Sequence, residues 1–100
     1  MKWHKDNRRT LYEFEYPVTK ILEIHEDCVL GNHYHKKRTE VFVLLKGSIV
    51  ATLNGVDQEM KPFEPLKVEP EVMHTFKAKE GSILLEFATR FYDPTDDYKA

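Results

Sequence analysis

Between Gly31 and Gly47 the chain reads Gly-Asn-His-Tyr-His-Lys-Lys-Arg-Thr-Glu-Val-Phe-Val-Leu-Leu-Lys-Gly, and this stretch restricts the available folds more than any other. Val41 to Leu45 is apolar at every position, so both faces of the strand it predicts must be covered. Glu40 stands at the head of that strand, behind a short polar loop, Lys36-Lys37-Arg38-Thr39. Before the loop, His33 and His35 are two residues apart, which in an extended chain projects both imidazoles from one face. Folding the apolar run back across the loop brings the Glu40 carboxylate towards the two rings.

The remainder of the chain repeats the β signal. Tyr12, Phe14, Tyr16 and Val18 alternate with polar residues, which predicts a strand whose aromatic face covers the core or a dimer interface. Pro17 argues against a central place for it. Residues 1–10 are polar and predict an arm or an edge strand docking on a partner, with no ligand role for His4. Lys20 to Glu26 is the next strand, with Leu22 and Ile24 on one face and His25 at the surface. Val29 to Asn32 then reads as a turn into the His33 strand. Asn54-Gly55 is a type I′ hairpin signal. Three prolines between Lys61 and Pro70 favour irregular crossovers, with Leu66 to Val68 a short strand. Val72 to Ala78 and Ser82 to Thr89 complete the strands, and residues 90–100 form a polar, aromatic tail. No segment carries a helical period, and about nine short strands predict an all-β barrel or jelly roll. One hundred residues allow one domain, 1–100, and a barrel this small predicts a homodimer.

His74 brings a third imidazole from a distant strand. Alone, each candidate has an ordinary explanation: a polar strand face for His33 and His35, a charge at the head of a strand for Glu40, a core histidine beside Phe76 for His74. Together they form a mixed nitrogen and oxygen set suited to one divalent transition metal, Zn, Mn, Fe, Ni or Co, with coordination positions left for water or substrate. Glu86 is the lone charge in Ile83 to Ala88. On an inner face it would be a desolvated acid or base, the catalytic candidate; on an outer face, an ordinary surface charge. Lys36, Lys37 and Arg38 read as a solvated turn before a phosphate site. Cys28 has no base partner and, as a single cysteine, no disulfide partner, which fits a reducing, cytoplasmic setting. Net charge −2, from 15 basic and 17 acidic residues, gives no general attraction to nucleic acid or membrane, and no apolar run is long enough to span a bilayer.

His33, His35, Glu40 and Gly47 resemble the first motif of the cupins, and His74 the histidine of the second. The resemblance implies a small β-barrel with these three histidines and Glu40 as metal ligands. The pattern departs at Asp27, where the family usually has glycine six places before the first histidine. It departs again at Glu69 and Glu71, which replace the proline and glycine of a Pro-x-Gly. Gly31 to His35 with Thr39 to Phe42 is similar to the cupin domain of some capsular-polysaccharide sugar-nucleotide reductases. The ending from Leu84 to Tyr98 is similar to the close of sugar-nucleotide 3,4-ketoisomerases, which commonly have Gln at the Glu40 position. These likenesses imply a metal-dependent isomerase or epimerase acting on a sugar or nucleotide-sugar. A non-catalytic metallo-cupin holding a small ligand and an iron-dependent dioxygenase stand as alternatives.

Overall fold

The computed structural model describes residues 1–14, 19–36, 38–88 and 98–99. Pro17 with its neighbours Tyr16 and Val18, Lys37, and the tail between Thr89 and Asp97 lie outside them. Eleven strands run along the described residues: β1 Lys2–Lys5, β2 Arg9–Phe14, β3 Thr19–Ile24, β4 Cys28–Tyr34, β5 Glu40–Lys46, β6 Ile49–Leu53, β7 Val56–Glu59, β8 Leu66–Val68, β9 His74–Ala78, β10 Ile83–Ala88 and β11 Tyr98–Lys99. They form two antiparallel sheets, one of order β1-β2-β3-β10-β5-β8 and one of order β11-β4-β9-β6-β7. The all-β double-sheet architecture is the one the sequence predicts.

Period-two alternation places the core. In β5, Phe42 and Leu44 are buried while Val41, Val43 and Leu45 are half-buried. The facing sheet contributes Leu30, Ile49, Ala51, Phe76 and Ala78, and Leu22, Ile24 and Leu84 close the first sheet. Each large side chain among them contributes about 1.5–3 kcal/mol by leaving water. Three inner rows then change character at a common level. Leu44 and Phe42 give way to Glu40, Leu84 to Glu86, and Ala78 and Phe76 to His74. One end of the barrel is therefore sealed with hydrocarbon and the other is lined with polar groups.

β4 reaches the same pattern by a different route. Leu30 belongs to the core, and strict alternation from it would turn His33 outward. Gly31 pairs with Thr75 but His33 pairs with His74, so β4 spends one extra residue against β9. This β-bulge restores His33 to the inner face. Gly31 permits it, with φ +89 and with its Cα so close to β9 that a Cβ would lie 2.9 Å from the His74 carbonyl oxygen. The segment expected as a turn is thus a kink inside a continuous strand.

Other details refine the sequence reading. Residues 2–5 are an edge strand, but β1 pairs with the chain's own β2, so β2 lies one strand in from the edge. The core-facing residue of β2 is Leu11, and the aromatics Tyr12 and Phe14 occupy the opposite face. His25 is exposed and bonds Thr10 Oγ1 at 2.6 Å. Asn54 and Gly55 have φ 48° and 81°, the paired left-handed residues of the expected hairpin. Asp27 accepts a hydrogen bond from the Glu80 amide at 2.8 Å, tying the β3–β4 turn to the β9–β10 turn. Among the described residues no helix is long and apolar enough to cross a membrane.

Candidate metal centre

The polar end of the barrel gathers His33, His35, Glu40 and His74. One donor atom from each lies within 4.8 Å of the others. His33 and His74 sit opposite each other across β4 and β9, with ring centroids 4.6 Å apart, and His33 and His35 centroids are 4.7 Å apart. Glu40 enters from the other sheet, Oε1 being 2.6 Å from His35 Nε2 and 3.5 Å from His74 Nε2. Apart from the half-buried His33, each of these side chains is almost wholly removed from water.

The residues present fit a metal ion on three observations. Glu40 Oε1 is buried and completes no hydrogen bond despite its 2.6 Å approach to His35 Nε2. Two such atoms, brought together out of water, are satisfied by a proton shared between them or by a cation. His74 Nδ1 donates to the Val72 carbonyl at 3.0 Å, which fixes the tautomer and leaves the Nε2 lone pair facing inward. Donors about 2.1 Å from one ion are at most about 4.2 Å apart, so the observed cluster needs to close by only about half an ångström.

Electrostatics prepare the same groups. Burial lowers the His74 pKa and keeps the ring neutral, the form that ligates. Burial pushes the Glu40 carboxyl up, but contacts with His35 and Glu86 and the charges of His35 and Arg38 outweigh it and hold Glu40 well below the usual range. The opposite holds for Glu86. Burial and the Glu40 charge raise it, against the pull of Lys20, whose Nζ is 3.8 Å away. Glu86 shares the inner face with Leu84 and stands opposite Phe42, so of its two sequence readings the inward one is realised. Two neighbouring carboxyls pushed apart in this way divide their roles, Glu40 the stronger acid and Glu86 the weaker.

The centre opens into a cavity of about 310 Å³ lined by Leu11, Leu22, Leu30, Phe42, Phe76 and Leu84 on its apolar walls. Arg9, Glu13, Lys20, Arg38 and Glu86 supply its remaining polar lining. Arg38 corrects the reading of 36–38 as a solvated turn. Lys36 is exposed, with its Nζ 4.4 Å from the centroid of the Tyr98 ring, but Arg38 is buried. Its position two residues before Glu40 gives it the parity of the inner face, a signal the basic run conceals. Cys28 is half-buried, and burial raises its thiol pKa, consistent with no nucleophilic role.

A two-sheet barrel with three inward histidines and a glutamate at its polar end defines a cupin-type fold. No family model and no curated protein matches the sequence. Solved structures do match. The capsular polysaccharide assembling protein CapF from Staphylococcus aureus aligns over 98% of this chain with TM-score 0.87 and 16% identity, and this chain spans 31% of CapF's length. KdgF from Halomonas sp. aligns over 95% of this chain and 91% of its own, with TM-score 0.81 and 15% identity. A double mutant of the QdtA 3,4-ketoisomerase from Thermoanaerobacterium thermosaccharolyticum, in complex with TDP, aligns over 99% of this chain and 83% of its own. For that pair the TM-score is 0.73 and the identity 26%. The chain is therefore similar in fold to these proteins over nearly its whole length.

Proposed function

We propose that the chain is a metal-dependent isomerase or epimerase acting on a sugar or nucleotide-sugar, with His33, His35, Glu40 and His74 as the metal ligands. The observation that carries this reading is the convergence of four donor atoms within 4.8 Å, with His33, Glu40 and His74 among them lining a cavity that also holds Glu86. A bound divalent ion would supply a Lewis acid for a substrate carbonyl or hydroxyl oxygen. Glu86 would give or take a proton at a carbon held above the four donor atoms, and Lys20, 3.8 Å away, would steady its ionised form. Phe42, Phe76 and Leu84 keep bulk water from the reacting carbon. The likeness to QdtA, solved with TDP, supports a nucleotide-linked sugar as the substrate class.

The test begins with metal analysis of protein purified without a histidine tag, where close to one equivalent of a first-row ion is expected. Metal-loaded protein is then incubated in deuterium oxide with keto-sugar nucleotides. Deuterium appearing at the carbon beside the carbonyl, and its loss in Glu86→Gln, is the expected result. Failure to retain or regain Zn, Mn, Fe, Co or Ni would refute the metal reading, and absence of exchange across the panel would refute the isomerase reading.

A further inference from the structure

Arg38 has no part in the ligand set, yet its side chain reaches into it. Its Nη2 lies 3.3 Å from His35 Nε2 and 3.9 Å from Glu40 Oε2, and the residue is 5% exposed. The same His35 nitrogen lies 2.6 Å from Glu40 Oε1, so a guanidinium and a carboxylate both crowd it. A metal bound through that nitrogen would take its one lone pair, which serves one cation at a time. A divalent ion and Arg38 are thus rivals for His35 Nε2.

The charges around the cavity sharpen the conflict. Arg9, Lys20 and Arg38 line the cavity together with Glu13, Glu40 and Glu86. A divalent ion adds two positive charges to a space of about 310 Å³ whose other walls are largely apolar. A guanidinium displaced from His35 stays inside that space, beside the ion, with no means of losing its proton. An anion that reaches both relieves both. The planar fork of a guanidinium matches the paired oxygens of a carboxylate or phosphate, and such an anion has oxygen left for the metal.

Building on the metal reading above, we propose that the site binds its metal together with a small oxyanion that bridges the ion and Arg38. Arg38 is then the residue that selects an acidic ligand, and the metal and the anion strengthen each other's binding. Because such coupling is reciprocal, either partner reports it.

The experiment titrates Co²⁺ into tag-free protein at fixed ionic strength. Affinity and the visible Co²⁺ spectrum are read in glycolate, in methyl phosphate and in uncharged glycolamide. Co²⁺ affinity is expected to rise about tenfold in at least one of the anions over glycolamide, with a change in the spectrum. A gain with glycolate alone assigns a carboxylate ligand, and a gain with methyl phosphate alone a phosphate. In Arg38→Met the gain is expected to vanish while Co²⁺ alone binds at least as tightly as in wild type. Equal affinity in all three additives, or the same gain in Arg38→Met, would overturn the proposal while leaving the metal reading intact. Absence of Co²⁺ binding in every condition would overturn the metal reading and this one with it. Should Arg38→Met fail to fold, glycolate and methyl phosphate affinities of the wild type with and without Co²⁺ decide. Tighter anion binding in its presence supports the bridge, and unchanged binding refutes it.

Discussion

Replacing Gly31 by alanine tests whether the bulge in β4 builds the site. The residue has φ +89, where an L side chain costs about 1–2 kcal/mol. The new methyl would also lie 2.9 Å from the His74 carbonyl oxygen and 3.4 Å from Thr75 Cα, both backbone atoms. Neither can swing away, so β4 and β9 must separate by a few tenths of an ångström, adding about 1 kcal/mol. The sum, about 2–3 kcal/mol, corresponds to a fall in Tm of roughly 10–20 °C for a domain of this size. Gly55 is an internal control. Its φ is +81 but nothing lies within 4 Å of an added Cβ, so Gly55→Ala should cost only the conformational part, about 1–2 kcal/mol. Thermal unfolding by circular dichroism and Zn²⁺ titration by calorimetry are the measurements. Gly31→Ala should melt lower than Gly55→Ala and bind Zn²⁺ at least about tenfold more weakly, since His33 and His74 are paired across the disturbed contact. Equal melting and unchanged Zn²⁺ affinity in the two variants would refute the argument.

Three further outcomes are expected. Glu71 is exposed and holds φ +70, so Glu71→Gly should raise stability by about 0.5–1 kcal/mol, read as a higher denaturation midpoint in urea. Glu40→Gln keeps the size of the side chain but removes the one carboxylate of the candidate ligand set, and should weaken Zn²⁺ or Mn²⁺ binding at least about a hundredfold by calorimetry. The Asp27 pKa is lowered, first by the Glu80 amide and then by the hydrogen bond from Lys79 at 3.4 Å. A depressed carboxyl stabilises the fold above its unfolded pKa and loses that contribution as pH falls towards the folded value. Tm measured from pH 5 down to pH 3 should therefore fall more steeply in wild type than in Asp27→Asn.

Much of the barrel was legible because its signals are local. Asn54-Gly55 specified its hairpin and the prolines marked the crossovers, while Val41 to Leu45, apolar on both faces, announced a strand covered on both sides. The four candidate ligands were legible as residue types at a familiar spacing, although their convergence is a property of two sheets meeting. What escaped the sequence depended on pairing between distant strands. Gly31 looks like a turn residue until β9 is laid beside β4 and the extra residue is counted. Tyr12 and Phe14 carry the stronger apolar signal, but Leu11 faces the core because β2 is positioned by its partners β1 and β3. Arg38 was concealed by its neighbours, since a run of three cations reads as solvent-facing whichever member turns inward. Glu71 shows the same limit: a glutamate gives no hint that its backbone is left-handed.

The bulge has a consequence for how such a protein changes over generations. Leu30 keeps its place in the core whichever way the chain leaves it, whereas His33 looks into the cavity only while one surplus residue separates the two. Deleting that residue would rotate the histidine to the outside and leave the hydrocarbon interior as it is. The barrel can thus turn His33, and His35 with it, out of or into the cavity by a single codon deletion or insertion, without passing through an unfolded ancestor.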